Sequence, residues 1–170
     1  MRARSVSLGA ALWALLAPIA CVDIVHEDEV QALGPEAPGV PPGPLHRPGQ
    51  PCVTCHGGSG PGSQQLAIGG TVYAVQGESA PAVGAVVQIE DIDGHFWTVQ
   101  TNEAGNFFVT TAEWQPHYPV GSIQVTLGDV TQSMFTHVGR DGSCADCHQA
   151  TPGPTSPGPI YINLADAGGP

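Results

Sequence analysis

A chain of 170 residues is long enough for one ordinary domain, and its formal net charge of −11 repels nucleic acid and anionic lipid headgroups. With 23 glycines and 17 prolines it approaches a low-complexity composition, yet sixteen of these fall between Gly34 and Gly62. The middle, from about Leu66 to Val138, is left with a normal globular composition.

Residues 1–20 read as an export signal. Arg2 and Arg4 supply a positive start, and Leu8 to Leu16 supply an apolar run too short to span a membrane. The stretch "APIAC" follows. Its Ile19, Ala20 and Cys21 resemble the lipobox of bacterial lipoproteins, although Pro18 stands where that family usually carries leucine. The resemblance implies that Cys21 is lipidated and anchors an exported protein in a membrane, at the periplasm or the cell surface. Val22 after it leaves out the aspartate that retains some lipoproteins at the inner membrane, which leans weakly to the outer one. Ordinary cleavage, leaving Cys21 as a spare thiol, is the alternative. Without residues 1–20, Arg47 and Arg140 stand against 15 carboxylates, a formal charge of −13, and there is no lysine. Such a surface suits a basic partner protein or serves solubility alone. Residues 21–51, acidic and then Pro/Gly-rich, read as a tether.

Residues 52–65 open with Cys52-Val53-Thr54-Cys55-His56, and the unit returns as Cys144-Ala145-Asp146-Cys147-His148 within residues 139–170. Cys21 is the only cysteine outside these two units. C-x-x-C-H is the attachment motif of c-type haem. Two thiols about one helical turn apart can reach the two vinyl groups of a porphyrin, and the next imidazole can ligate its iron. The chain thus resembles dihaem c-type cytochromes, which implies two covalently attached haem c groups. Cys52, Cys55, Cys144 and Cys147 would be the thioether links, with His56 and His148 the proximal iron ligands. Local disulfides, a zinc site and a thioredoxin-like redox pair compete. A disulfide leaves both histidines unexplained, the pairs are far apart for a zinc ribbon, and no βαβ pattern is visible.

Upstream of each motif stands another histidine: His46, six residues before Cys52, and His137, seven before Cys144. Both are candidate distal ligands. His26, His95 and His117 are reserves, and Met134 is a fallback that would raise the potential. Arg47 and Arg140 lie next to the motifs as candidate partners for haem propionates, or as surface arginines paired with nearby acids.

Between the motifs, residues 66–138 read as a β domain. Strands are expected at Thr71–Val75, Ala85–Asp91, His95–Thr101, Asn106–Thr110, Ser122–Leu127 and Val130–Thr136, with a last one at Ile160–Leu164. Turns fall at Asp93-Gly94, Glu103-Ala104-Gly105 and Gly128-Asp129. No helix of useful length is visible. Seven short strands predict a mainly β fold, a sandwich flanked by Gly/Pro-rich haem-binding loops. The segments "GGTVYA", "AVGAVVQIED" and "GHFWTVQTNEAGNFFV" resemble the carboxypeptidase regulatory-like (transthyretin-like) domains, which implies an Ig/transthyretin-like sandwich that binds or spaces rather than catalyses. Glu90, Asp91 and Asp93 could bind calcium or simply build a hairpin turn.

The expected function is electron transfer outside the cytoplasm by a dihaem cytochrome with bis-histidine iron, delivering to a redox partner. The rivals are a binding module in which haem is structural, and a small peroxidase-type enzyme.

Overall fold

Alternation of apolar and polar residues builds most of the strands. In the computed structural model, which describes residues 23–134 and 136–163, seven strands form in chain order. They are β1 (Leu66–Val75), β2 (Val86–Glu90), β3 (Phe96–Gln100), β4 (Asn106–Thr110), β5 (Ser122–Leu127), β6 (Val130–Met134) and β7 (Ile160–Asn163). The leader, Cys21 and Leu164 lie outside the described residues. One sheet has the order β3-β2-β5-β6, antiparallel throughout; the other is β4-β1-β7, with β1 antiparallel to β4 and parallel to β7. The protein is a β-sandwich, as the strand count predicts.

Val87, Ile89, Ile123 and Val125 point inward from β2 and β5, while Gln88 and Gln124 between them face water. They meet Ile68, Val72, Phe107, Val109 and Ile162 from the other sheet. β1 departs from alternation: Ile68, Gly69, Gly70, Thr71 and Val72 are all buried. One side of this strand faces the core, and the other lies under the chain that precedes it.

That covering chain holds the main departure from the sequence pattern. A nine-residue helix, α1 (Ile24–Ala32), forms where none is expected. Asp23 caps it by accepting the His26 N–H at 3.2 Å, and none of its residues is buried. A helix without an apolar stripe leaves no periodic signal to read. Downstream, the residues around Gly43 to Gln50 are stitched to the sandwich. The Asn106 Nδ2 donates to the His46 carbonyl at 2.9 Å, the Asn102 Nδ2 to the Pro44 carbonyl at 2.6 Å, and the Gly49 N–H to Thr71 Oγ1 at 2.7 Å.

The β2–β3 turn carries the acidic cluster. Asp91 is buried and accepts the N–H groups of Asp93, His95 and His117 at 3.0, 2.9 and 3.1 Å. Burial by itself would raise its pKa, but these bonds outweigh it and hold the carboxyl below its ordinary value. The side chain is spent on organising the turn, as the hairpin explanation requires. Asp93 pairs with the His117 ring, and His95 lies 3.5 Å from Asp91. Met134 packs against the core cluster.

Phe107 is among the largest fully buried side chains. Phe107→Ala is expected to cost about 3–5 kcal/mol in urea unfolding; a loss below ~1 kcal/mol would mean that the two sheets do not close over it. His117 is raised above its ordinary pKa by the hydrogen bond and then the charge of Asp93. The charged ring is therefore favoured by folding, and its contribution is full below about pH 6.5 and fades as pH rises through the raised value. His117→Ala should lower the melting temperature at about pH 5.5 and leave it unchanged near pH 9, and equal losses at both would contradict this origin.

Candidate functional site

Each cysteine motif forms its own short helix. α2 (Cys52–His56) follows Pro51 and ends at Gly57; α3 (Cys144–Cys147) follows Ser143, and the His148 N–H closes it on the Cys144 carbonyl at 2.8 Å. One helical turn places the two thiols of each motif on neighbouring positions, as the attachment chemistry needs.

Both helices pack on the same two residues. A side chain at Gly69 would meet the Cys52 Cβ and Sγ, each at 3.3 Å. A side chain at Gly70 would meet the Cys144 Cβ at 2.8 Å and its Sγ at 3.0 Å. Consecutive strand residues face opposite sides, so the two motifs approach β1 from its two sides at a single point. β7 pairs with β1 only from Val72 onward, and at Gly69 the segment before α3 takes that edge. The Gly69 N–H donates to the Gly142 carbonyl at 2.9 Å, and Gly69 bridges Ser143 in parallel. Glycine is required here by close approach, not by turn geometry.

In the second motif the first cysteine is the inner one, buried Cys144 against exposed Cys147, while Cys52 and Cys55 are both half-buried. Burial raises the Cys52 thiol to about 11, and burial followed by the charge of Cys52 raises Cys144 to about 12. Both thiols are protonated at neutral pH, which makes them poor disulfide nucleophiles and poor zinc ligands until disturbed. Cys147 is exposed, and all four cysteines are free. Among the described residues no group of three or more His, Cys, Asp or Glu converges to hold a bare metal ion. Haem brings four nitrogen donors of its own and asks the chain only for axial ligands.

The two motif histidines are held in one way. His56 Nδ1 donates to the Gln64 carbonyl at 2.8 Å, and His148 Nδ1 donates to the Gly158 carbonyl at 2.9 Å. Fixing the proton on Nδ1 leaves the Nε2 lone pair free, the arrangement in which a histidine ligates a metal. Each carbonyl is presented by a folded-back loop. After α2 the Gly62 N–H donates to the Cys55 carbonyl at 2.8 Å. After α3 the Ser156 hydroxyl accepts the Gln149 and Gly158 N–H groups at 3.0 and 3.1 Å.

A cleft opens beside each motif, and each is walled by the approach to the other. The larger, of about 510 Å³, has Cys144, Ala145 and His148 on one side and Pro48, Gly49 and Gln50 on the other, with Tyr73 and Tyr161 between. These tyrosine rings lie 6.0 Å apart, centre to centre. The smaller, of about 410 Å³, is lined by Val53, Gly57, Arg140 and Gly142, and by none of Cys52, Cys55 and His56.

The upstream histidines divide. The His46 ring lies 5.8 Å from that of His56, with planes 16° apart. Two imidazoles sharing one metal through nitrogen bonds of about 2.0 Å would have centres roughly 6 Å apart. His46 Nδ1, however, accepts the Gly43 N–H at 3.2 Å, which leaves the proton on Nε2. Ligation through Nε2 would require that bond to open. His137 is exposed on the segment whose Val138 pairs with Val120, and among the described residues no ring contact joins it to His148.

The arginines also divide. Arg47 is 3.2 Å from Glu36 and donates to the Gln50 side chain and to the Leu33 and Gly34 carbonyls, at 2.8, 3.4 and 2.8 Å respectively. Arg140 is exposed at the mouth of the smaller cleft. Neither the Gly69-Gly70 contact nor the Tyr73–Tyr161 pair is expected from the sequence. Paired glycines inside an otherwise apolar strand were the available signal for the first.

In the reduced chain, alkylation should reach exposed Cys147 at least ~100-fold faster than Cys144, because a buried, protonated thiol is unreactive. Gly70→Ala forces Cys144 outward and should speed its alkylation by about tenfold or more, whereas Gly69→Ala, with looser contacts, changes Cys52 less. Equal rates for Cys144 and Cys147 in the unaltered chain would show that the inner position is not protected.

Comparison with protein-family models, with curated proteins and with solved structures finds no match to this chain.

Proposed function

We propose that the chain is a dihaem c-type cytochrome that carries electrons outside the cytoplasm. The observation that carries this reading is the duplicated donor arrangement. In each motif a short helix sets two cysteines one turn apart, and the following histidine has Nδ1 tied to a backbone carbonyl and Nε2 left free. A structural disulfide would require neither histidine, and both would not then be held in one tautomer by separate loops.

The residues fit the group they would hold. Cys52 and Cys55, and likewise Cys144 and Cys147, would hold one haem each through thioethers, with His56 and His148 beneath the iron. Haem when bound supplies reversible one-electron chemistry at iron. The chain supplies everything else. The carbonyls of Gln64 and Gly158 keep each proximal imidazole from rotating and raise its basicity as a ligand. The β1 glycines set the two attachment points side by side on a rigid strand, and a fixed separation is what electron exchange between two centres requires. His46, whose ring lies 5.8 Å from that of His56, is the candidate second ligand of the first site once its Gly43 bond opens, and His137 is the candidate for the second. Two histidine ligands at each site would leave the iron no position open to peroxide or oxygen, which favours transfer over catalysis. Export, a lipid anchor at Cys21, and a basic redox partner drawn to a chain of formal charge −13 complete the proposal.

The test is expression in a host that matures cytochromes. Intact mass is expected to rise by two haems, and Cys55→Ala and Cys147→Ala should each remove or destabilise one. Reduced and oxidised spectra should be six-coordinate and low-spin, with no rapid carbon monoxide binding. His46→Ala should convert one haem to high spin if the Gly43 bond gives way on maturation. A colourless product without Soret absorbance would sink the proposal, and a persistent high-spin haem in the unaltered protein would move it to the enzyme class.

A further inference from the structure

Resting on the haem reading above, the larger cleft carries a more specific assignment. It is lined by Cys144, Ala145 and His148 of the second motif itself, so a haem held by that motif has this space beside it. Its floor is the outer face of the smaller sheet. Tyr73 and Tyr161 are register partners across β1 and β7. Their neighbours Val72 and Ile162 are wholly buried in the core, so alternation turns both tyrosines outward. Both are half-buried cleft residues, with ring centres 6.0 Å apart.

Among the described residues neither of these hydroxyls has a hydrogen-bond partner, whereas that of Tyr118, in the smaller cleft, donates to the Ala67 carbonyl at 2.8 Å. A tyrosine hydroxyl withdrawn from bulk water usually finds an acceptor. The Tyr73 hydroxyl lies over Gly49, where a Cβ would stand 2.6 Å from it, so glycine keeps that oxygen's surroundings open. Among the described residues no arginine lines this cleft. Arg47 is tied to Glu36, Gln50 and backbone carbonyls, and Arg140 lines the smaller cleft. Haem presents two carboxylates as its peripheral hydrogen-bond acceptors, and in a cleft without a cation these need neutral donors. Burial, and then the charge of Tyr161, raise Tyr73 above its ordinary pKa, which suits a phenol donor and not a phenolate ligand.

We infer that the haem held by Cys144, Cys147 and His148 occupies the larger cleft, and that Tyr73 and Tyr161 donate hydrogen bonds to its carboxylates. The two phenols thereby take the part that the sequence offers to Arg140. A hydrogen bond donated to a carboxylate draws off some of its negative charge. Less negative charge near the iron favours the ferrous state, so each phenol raises the potential of this haem.

The experiment compares the unaltered two-haem protein with the Cys144→Ala/Cys147→Ala form of the full chain, which keeps only the first haem. Nitration by tetranitromethane, mapped by mass spectrometry, reads the access to each tyrosine. Tyr73 and Tyr161 should resist nitration in the two-haem protein and react in the variant, while Tyr118 reacts alike in both. Tyr73→Phe and Tyr161→Phe remove only a hydroxyl. In the two-haem protein each should lower the reduction equilibrium constant of one haem by up to about threefold, ~28 mV for one electron, and leave the other haem unchanged. Circular dichroism verifies that each variant is folded; if the cysteine variant is not, the phenylalanine variants decide the matter alone. Tyr73 and Tyr161 nitrated equally in both proteins, or two potentials indifferent to both phenylalanine variants, overturn the assignment and leave the cytochrome reading intact. An unaltered chain that matures without haem overturns both together.

Discussion

Two missing side chains organise this protein. At Gly69 and Gly70 the central strand of the smaller sheet has no Cβ on either side, and the space they leave is filled from opposite directions by Cys52 and Cys144. Everything that matters about the site follows from that contact. It covers Cys144 and part of Cys52, and brings two segments separated by almost the whole sandwich to one place. It also explains why β1 is buried without a break from Ile68 to Val72: one side faces the core, which includes Cys144, and the other lies under the segment that carries Cys52.

The Gly/Pro-rich chain around the motifs has little apolar material of its own, so its order is borrowed. Asn102, Asn106 and Thr71 anchor the approach to α2 through hydrogen bonds to backbone groups. Gly142 and Ser143 anchor the approach to α3 by adding to the edge of β1. A flat apolar group in each cleft would complete these walls, in the way that metals and disulfides complete other scaffolds with thin cores. Because each cleft borrows a wall from the other motif's approach, the two sites are mechanically one unit. Loading one would stiffen the other.

Repetition in sequence does not make the two sites alike. Beside the first, the ring of His46 lies 5.8 Å from that of His56. The second has a pair of tyrosines in its cleft and two hydrogen-bonded carboxyls, Asp141 and Asp146, beside its helix. Loss of water around the Asp146 carboxyl and then its bond to Asp141 push that group up to about 7.

Much of this was written in the chain. Alternation in Val86–Glu90 and Ser122–Leu127, the turn at Gly128-Asp129 and the spacing of the cysteines are local signals, and they determined the strands, the sandwich and which residues are candidate donors. α1 was illegible because a helix with no buried residue has no periodicity. Tertiary structure alone decided which residues meet: that both motifs converge on Gly69 and Gly70, that Arg140 lines a cleft with Val53 and Gly57, and that His46 but not His137 stands by its histidine. Such pairings depend on how strands far apart in sequence come into register. That register is set by the packing of the whole core, so no local pattern of residues can encode it.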